Sequence, residues 1–148
     1  MCSIFGAMIW MAEDYKRVAR TLHRLAIAGE DRGRDGIGFV VIKQNTDGLS
    51  TLSFNAPGAA SDNSEALEAH LLAMITGPCI VIGNNRYQPM PQPDSTAETT
   101  RQPIDVENVV GTHNGTFPED DLINQKYGFE SVTGIDSEVL LHLYRHKF

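Results

Sequence analysis

Cysteine, basic residues and long apolar runs are all scarce in this chain, and each scarcity removes a class of protein. Two cysteines, Cys2 and Cys79, stand in 148 residues, too few for the disulfide framework of a small secreted scaffold. Lys and Arg total 12 against 19 Asp and Glu, a net charge of -7. Such a chain repels phosphate backbones and anionic lipid unless it carries a local basic patch. The tightest basic cluster, Arg32 with Arg34, has acidic neighbours, so neither nucleic acid nor membrane is expected as a partner. No stretch reaches the roughly 20 apolar residues of a membrane span. The run from Ile4 to Ala12 lacks a basic lead and meets Glu13 and Asp14 at once, unlike a signal peptide. A soluble cytoplasmic protein is the expectation.

An apolar fraction of 41% and a charged fraction of 21% suit an ordinary globular core, and the length suits one domain over 1–148. Ser3 to Ile9 is nearly continuous apolar text, as in a buried strand. Tyr15, Val18, Ala19, Leu22, Leu25 and Ala26 recur at helical spacing and predict a helix ending near Gly29. Gly38 to Ile42 and Thr51 to Phe54 predict two strands joined by the turn text Asn45-Thr46-Asp47-Gly48. Asp62 with Glu65 predicts the capped start of a helix from Ser64 to Ile75, stopped by Gly77-Pro78. Ile80 to Gly83 and Val106 to Thr112 predict two more strands. Between them Gln88 to Gln102 predicts a long loop. Glu119-Asp120-Asp121 suits an acidic helix start, and Asp136 is expected to cap a last helix reaching Tyr144. Helices and strands interleave with a hairpin among them, so an α+β fold with a mixed or antiparallel sheet is expected.

Chemistry enters at Met1-Cys2-Ser3. A small second residue allows removal of Met1, which would leave one residue with both a thiol and a free α-amine, the amine able to serve as base. Any gene can encode Cys second, so this carries little alone. Cys79 sits in the apolar run Gly77 to Ile82 and is expected as core filler. His142 and His146 have a spacing that permits metal binding, but no third ligand is in view, and solvated histidines are the simpler expectation. His113 is expected to be structural rather than a base. Gly36-x-Gly38 lacks the third glycine and the following helix of a dinucleotide site. No metal and no cofactor is expected.

Four further segments follow in order: Arg32-Gly33-Arg34-Asp35-Gly36-Ile37-Gly38, Gly83-Asn84-Asn85-Arg86-Tyr87, His113-Asn114-Gly115, and Gly134-Ile135-Asp136-Ser137-Glu138. After Met1-Cys2 this succession resembles the class II glutamine amidotransferases, and the resemblance runs from Cys2 to about Tyr144. It implies an N-terminal-nucleophile hydrolase fold, an αββα sandwich of two mostly antiparallel sheets, here incomplete at the C-terminus. It also implies a glutaminase in which Cys2 attacks the side-chain amide of L-glutamine and releases ammonia through a thioester.

The same resemblance makes the Asn114 side chain and the Gly115 backbone N–H an oxyanion hole, a type of donor worth about 3 kcal/mol each. Without it, Asn114-Gly115 would read as a hairpin turn. Arg86 becomes the grip on the substrate carboxylate, suited to a guanidinium fork, and Asp136 the partner of its ammonium. Arg32 and Gly33 become supports of the nucleophile loop. The partner implied is an ammonia-accepting synthase domain or subunit, for which the chain has no text of its own. Two alternatives keep the same residues: hydrolysis of another γ-glutamyl amide or peptide, and an inactive amidotransferase-like binding protein.

Overall fold

The computed structural model describes residues 1–88 and 102–147. Its frame is an antiparallel sheet of four strands, β1 (Ser3–Ile9), β2 (Gly36–Asn45), β3 (Gly48–Pro57) and β4 (Cys79–Arg86), in the order β1-β4-β2-β3. The turn text between β2 and β3 makes the expected hairpin, closed by the Asn45–Gly48 pair. β4 enters between β1 and β2, pairing Ser3 with Asn85 on one side and Gly36 with Arg86 on the other. Because strand side chains alternate, the odd-numbered residues of β1, β2 and β4 share a face with the even-numbered residues of β3. Phe5, Ile9, Ile37, Phe39, Val41, Cys79 and Val81 meet in one buried core, and Cys79 is indeed core filler.

Two helices cover that face. In α1 (Tyr15–Gly29), Ala19, Leu22 and Ala26 are buried, while Leu25, expected on the same stripe, is exposed. Asp14 caps α1 by accepting from the Arg17 N–H at 3.1 Å. Each fully buried leucine here contributes about 1.5–3 kcal/mol. A short 3-10 turn, Glu30–Arg32, follows. Helix α2 (Ser64–Met74) buries Leu67 and Leu71. Its start differs from expectation: Asp62 accepts from the Ala59 N–H at 3.3 Å, and Asn63 stands at the cap without a side-chain bond to the helix. The loop before the helix outcompetes the helix for that carboxylate, as Asx side chains often allow.

The text from Val106 to Thr112 does not form one strand. It is split by a two-residue turn at Glu107 and Asn108, both at positive φ, into β5 (Ile104–Val106) and β6 (Val109–Gly111). Positive φ at both central residues gives the turn the twist that hairpins favour. Helix α3 (Asp120–Tyr127) starts on its acids as expected, and α4 (Glu138–Lys147) closes the described chain. Ile104, Val106, Ile135 and Leu141 form a second, smaller core beneath α4. The fold is α+β. Among the described residues the second sheet is only this two-stranded ribbon, not a full layer of a sandwich. Residues 89–101, most of the expected long loop, lie outside the described residues. No described helix is long and apolar enough to cross a membrane.

What fastens the ribbon to the sheet is polar. Asn84 Nδ2, on the second face of β4, donates to Thr112 Oγ1 at 2.8 Å, and that hydroxyl donates to Gln102 Oε1 at 2.7 Å. Gln102 Oε1 also accepts from the His113 N–H at 2.8 Å. Asn84 and Gln102 are buried, so each broken link leaves a desolvated group without a partner. Replacing Thr112 by Val keeps the shape and removes the bridging hydroxyl. We expect Thr112→Val to lose about 1–3 kcal/mol in urea unfolding; an unchanged midpoint would show that the relay carries no stability.

Candidate functional site

β4 ends at Arg86, and β1 begins just after Cys2, so the β1–β4 ladder brings their two ends side by side. The ladder is extended by sulfur: the Tyr87 N–H points at Cys2 Sγ at 3.4 Å, and the thiol faces Tyr87 O at 3.8 Å. Cys2 is half-buried. Its backbone N–H donates to Asn114 Oδ1 at 3.1 Å, which ties the segment after β6 to the chain start. That bond takes up the amide oxygen of Asn114 and leaves its Nδ2 as the group able to donate elsewhere.

Cys2, Arg86, Gly115 and Asp136 line one cavity of about 370 Å³, together with Tyr87, Gln102, Phe117 and Ile135. Four of the residues expected to act together are therefore brought together, and Asn114 adjoins them through Cys2. Arg32 and Gly33 do not line it. They border a neighbouring cavity of about 410 Å³ with Met1, Asp35 and Tyr87. Gly33 packs on the end of β4 so closely that a Cβ would sit 2.5 Å from Asn85 O and 2.6 Å from the Arg86 carbonyl carbon. The loop is fixed from its other side by Asp35, whose N–H donates to Arg86 O at 2.9 Å and whose carboxylate accepts from the Gln88 N–H at 2.6 Å. The sequence text contained Asp35 without marking it.

Charge in the cavity is arranged around Arg86. Burial pulls its guanidinium below the ordinary arginine value, and Cys2, Asp136 and Asp35 oppose that pull. Arginine stays protonated through such shifts. Among the described residues its Nη1 is buried without a hydrogen-bond partner, a costly state for a cationic donor. Asp136 was expected to cap α4, and it does not: its Oδ2 accepts from the Phe117 N–H at 2.6 Å, and α4 starts only at Glu138. The turn carrying Asp136 leans on the 113–117 segment instead of on the helix. Gly115 is needed because the His113 ring lies on it; a Cβ would sit 2.6 Å from the ring. The His113 ring also bonds Ser137 Oγ through Nδ1 at 2.9 Å.

Sequence reasoning missed Glu138. Its buried carboxylate accepts from Ser131 Oγ and the Val132 N–H, both at 2.9 Å, from the Thr133 N–H at 2.8 Å, and from Thr133 Oγ1 at 2.5 Å. Burial pushes this carboxyl up, but the donors from Thr133, Val132 and Ser131 together hold it below the usual glutamate value. The cluster stiffens the turn that leads to Asp136. His142 joins it at 3.3 Å and stacks on Phe129, so this histidine is packed rather than solvated. The Ser and Thr just upstream of Glu138 were the signal available in sequence. Among the described residues no cluster of ligating side chains suits a metal.

No family model matches the chain. It is 37% identical over 141 residues to a 7-cyano-7-deazaguanine synthase of Sulfolobus acidocaldarius, a match covering 95% of this chain and 29% of that protein. A 7-cyano-7-deazaguanine synthase 2 of Sulfurisphaera tokodaii is 33% identical, and a 7-cyano-7-deazaguanine synthase of Saccharolobus solfataricus 32%, with the same coverage. The chain thus spans under a third of the length of the curated relatives it matches. These names correct the expectation drawn from the motif order. The relatives are named as deazaguanine synthases and not as class II glutamine amidotransferases. With that the glutaminase assignment falls, together with L-glutamine as ligand, the ammonia-accepting partner and both γ-glutamyl and amidotransferase-like alternatives. The motifs were short and common in kind, whereas the similarity extends along nearly the whole chain.

Glu138 gives the acid limb of stability a defined sign. A carboxyl held low in the folded chain stabilises fully above its unfolded value, near 4.5, and that gain is lost as pH falls through the lower folded value. We expect Glu138→Gln to cost about 1.5–3 kcal/mol at pH 7 and to flatten the decline of stability below pH 4.5. Urea midpoints across pH 2.5 to 7 (chosen to bracket about the carboxylate range) check it, and parallel curves for the two proteins would refute it.

Proposed function

We propose that the chain works within a 7-cyano-7-deazaguanine synthase-type protein, where its cavity holds a small carboxylate-bearing molecule against the Cys2 thiol. The observation that carries this reading is the buried, unpartnered Arg86 Nη1 beside Cys2, in a chain similar along 95% of its length to such synthases. A guanidinium held this way suits a planar carboxylate through two parallel hydrogen bonds. Asp136 offers the opposite charge to a cationic or hydrogen-bond-donating group on the same molecule. Cys2 is the nucleophile for an acyl carbon, and the Asn114 side-chain amide with the Gly115 backbone N–H serves the oxyanion that forms. Arg32 and Gly33 brace the loop that keeps Tyr87 at the sulfur.

The layering belongs to the same proposal. Helices α1 and α2, the four-stranded sheet, the β5–β6 ribbon and α4 follow one another as α, β, β and α. A crystal structure with the ribbon away from the second sheet face would overturn that order.

Function is tested by grafting. In the Sulfolobus acidocaldarius relative the matching 141 residues are replaced by those of this chain, and formation of 7-cyano-7-deazaguanine is measured. The graft is expected to support synthesis. Cys2→Ala within it should lower turnover by about a thousandfold or more, as loss of a nucleophile does. Arg86→Gln should raise KM about 10- to 100-fold, the loss of a charged hydrogen bond. A graft whose two variants synthesise at the unaltered rate would defeat the proposal.

A further inference from the structure

Asp136 reaches the cavity from a turn, 134–137, that lies outside any strand or helix. Both of its oxygens are nevertheless held. The Phe117 N–H donates to Oδ2 at 2.6 Å, and Ser137 Oγ donates to Oδ1 at 3.1 Å. Ser137 is 1% exposed, so water does not compete for its hydroxyl. A hydroxyl has a single proton. With that proton directed to Asp136, Ser137 Oγ must accept from His113 Nδ1, which lies 2.9 Å away. The imidazole is thereby fixed with hydrogen on Nδ1. Its own backbone N–H is held by Gln102 Oε1, and its ring rests on Gly115. One imidazole therefore joins the two walls of the cavity, the 113–117 segment and the 134–137 turn.

We propose that Ser137 and His113 are positioning residues that aim the Asp136 carboxylate and so set the charge selectivity of the cavity. Neither touches a ligand in this arrangement; they act through Asp136. The inference rests on the reading of this cavity as a ligand site. A carboxylate pinned at both oxygens presents its charge in one direction, whereas one pinned at Oδ2 alone is free to turn about its χ2 bond, a broad torsion. The loss of Ser137 or of the His113 donor should thus weaken attraction of a cation at the sulfur while leaving the Arg86 side intact.

The test uses the whole chain and two thiol reagents of matched size, a trimethylammonium-ethyl and a sulfonato-ethyl methanethiosulfonate. Each forms a mixed disulfide with the Cys2 sulfur and releases methanesulfinate. Peptide mass gives the rate at Cys2, with buried Cys79 as the slow internal reference. Asp136→Asn is expected to lower the cation-to-anion rate ratio about tenfold, within the range of local electrostatic steering. Ser137→Ala and His113→Phe should reproduce most of that fall, and Ser137→Thr and His113→Asn, which keep the hydroxyl and the Nδ1-side donor, should restore the ratio. A residue important only for folding would lower both rates together.

An unaltered ratio in folded Ser137→Ala and His113→Phe chains overturns the inference, as does an equal fall in the two conservative variants. If Ser137→Ala does not fold, the two His113 variants decide. Arg86→Gln separates the two readings. If it fails to slow the anionic reagent while the Ser137 and His113 results stand, the carboxylate-binding proposal fails and the positioning role survives. The opposite pattern removes the positioning role alone.

Discussion

Everything around the cavity depends on one relay: the hydrogen bonds that run from Asn84 Nδ2 through Thr112 to Gln102 between the sheet and the ribbon. Asn84 emerges on the face of β4 opposite the one that α1 and α2 cover, and it is fully buried. Its amide finds Thr112, and Thr112 finds Gln102. Low local dielectric strengthens such chains and makes each unmade link expensive. Because Gln102 also holds the His113 N–H, the relay fixes where the segment 113–115 leaves β6. That in turn decides whether Asn114 meets the Cys2 backbone. An apolar contact at this place would be as stable, but it would tolerate sliding; directional bonds set a register.

Within the cavity the electrostatics follow from position in the ladder rather than from local sequence. Arg86 is the last residue of a central strand, which explains why it is half-buried and why its charge is held there at a cost. The cost is offset by Asp136 and Asp35, and among the described residues Nη1 is left without a hydrogen-bond partner. Glu138 is the opposite case, a buried carboxylate fully supplied with donors. It serves the shape of the turn, and Asp136, two residues earlier, presents the charge.

The frame was legible in the sequence where apolar text was strong. α1 lies where helical spacing placed it, β1, the β2–β3 hairpin and β4 where short apolar runs did, and α2 between its polar start and Gly77-Pro78, although β1, expected to be buried, leaves Ile4 and Met8 exposed. Failure came where a few polar residues chose between local partners. Asp62 bonded a loop amide in place of the helix, Asp136 turned to Phe117 in place of α4, and two residues at positive φ broke one expected strand into a ribbon. These choices differ by little in local energy, and distant packing decides them. The functional assignment failed for a related reason. Short motifs name residue types and order, and unlike similarity along 95% of the chain they do not specify the protein that carries them.

By itself, then, the sequence determined the α+β class, the order of helices and strands in the frame and the burial of Cys79, because hydrophobic burial leaves its mark in the text. It also marked Cys2, Arg86, Gly115 and Asp136 as residues of interest, and these do line one cavity. Only the tertiary structure decided that Arg86 keeps an unpaired nitrogen, that Asn114 spends its oxygen on Cys2, and that His113 and Ser137 steady Asp136. The Cys2–Asn114 and His113–Ser137 bonds join residues more than twenty positions apart. Hydrogen bonds across such distances are set by how the sheet and the ribbon dock, which no window of sequence contains.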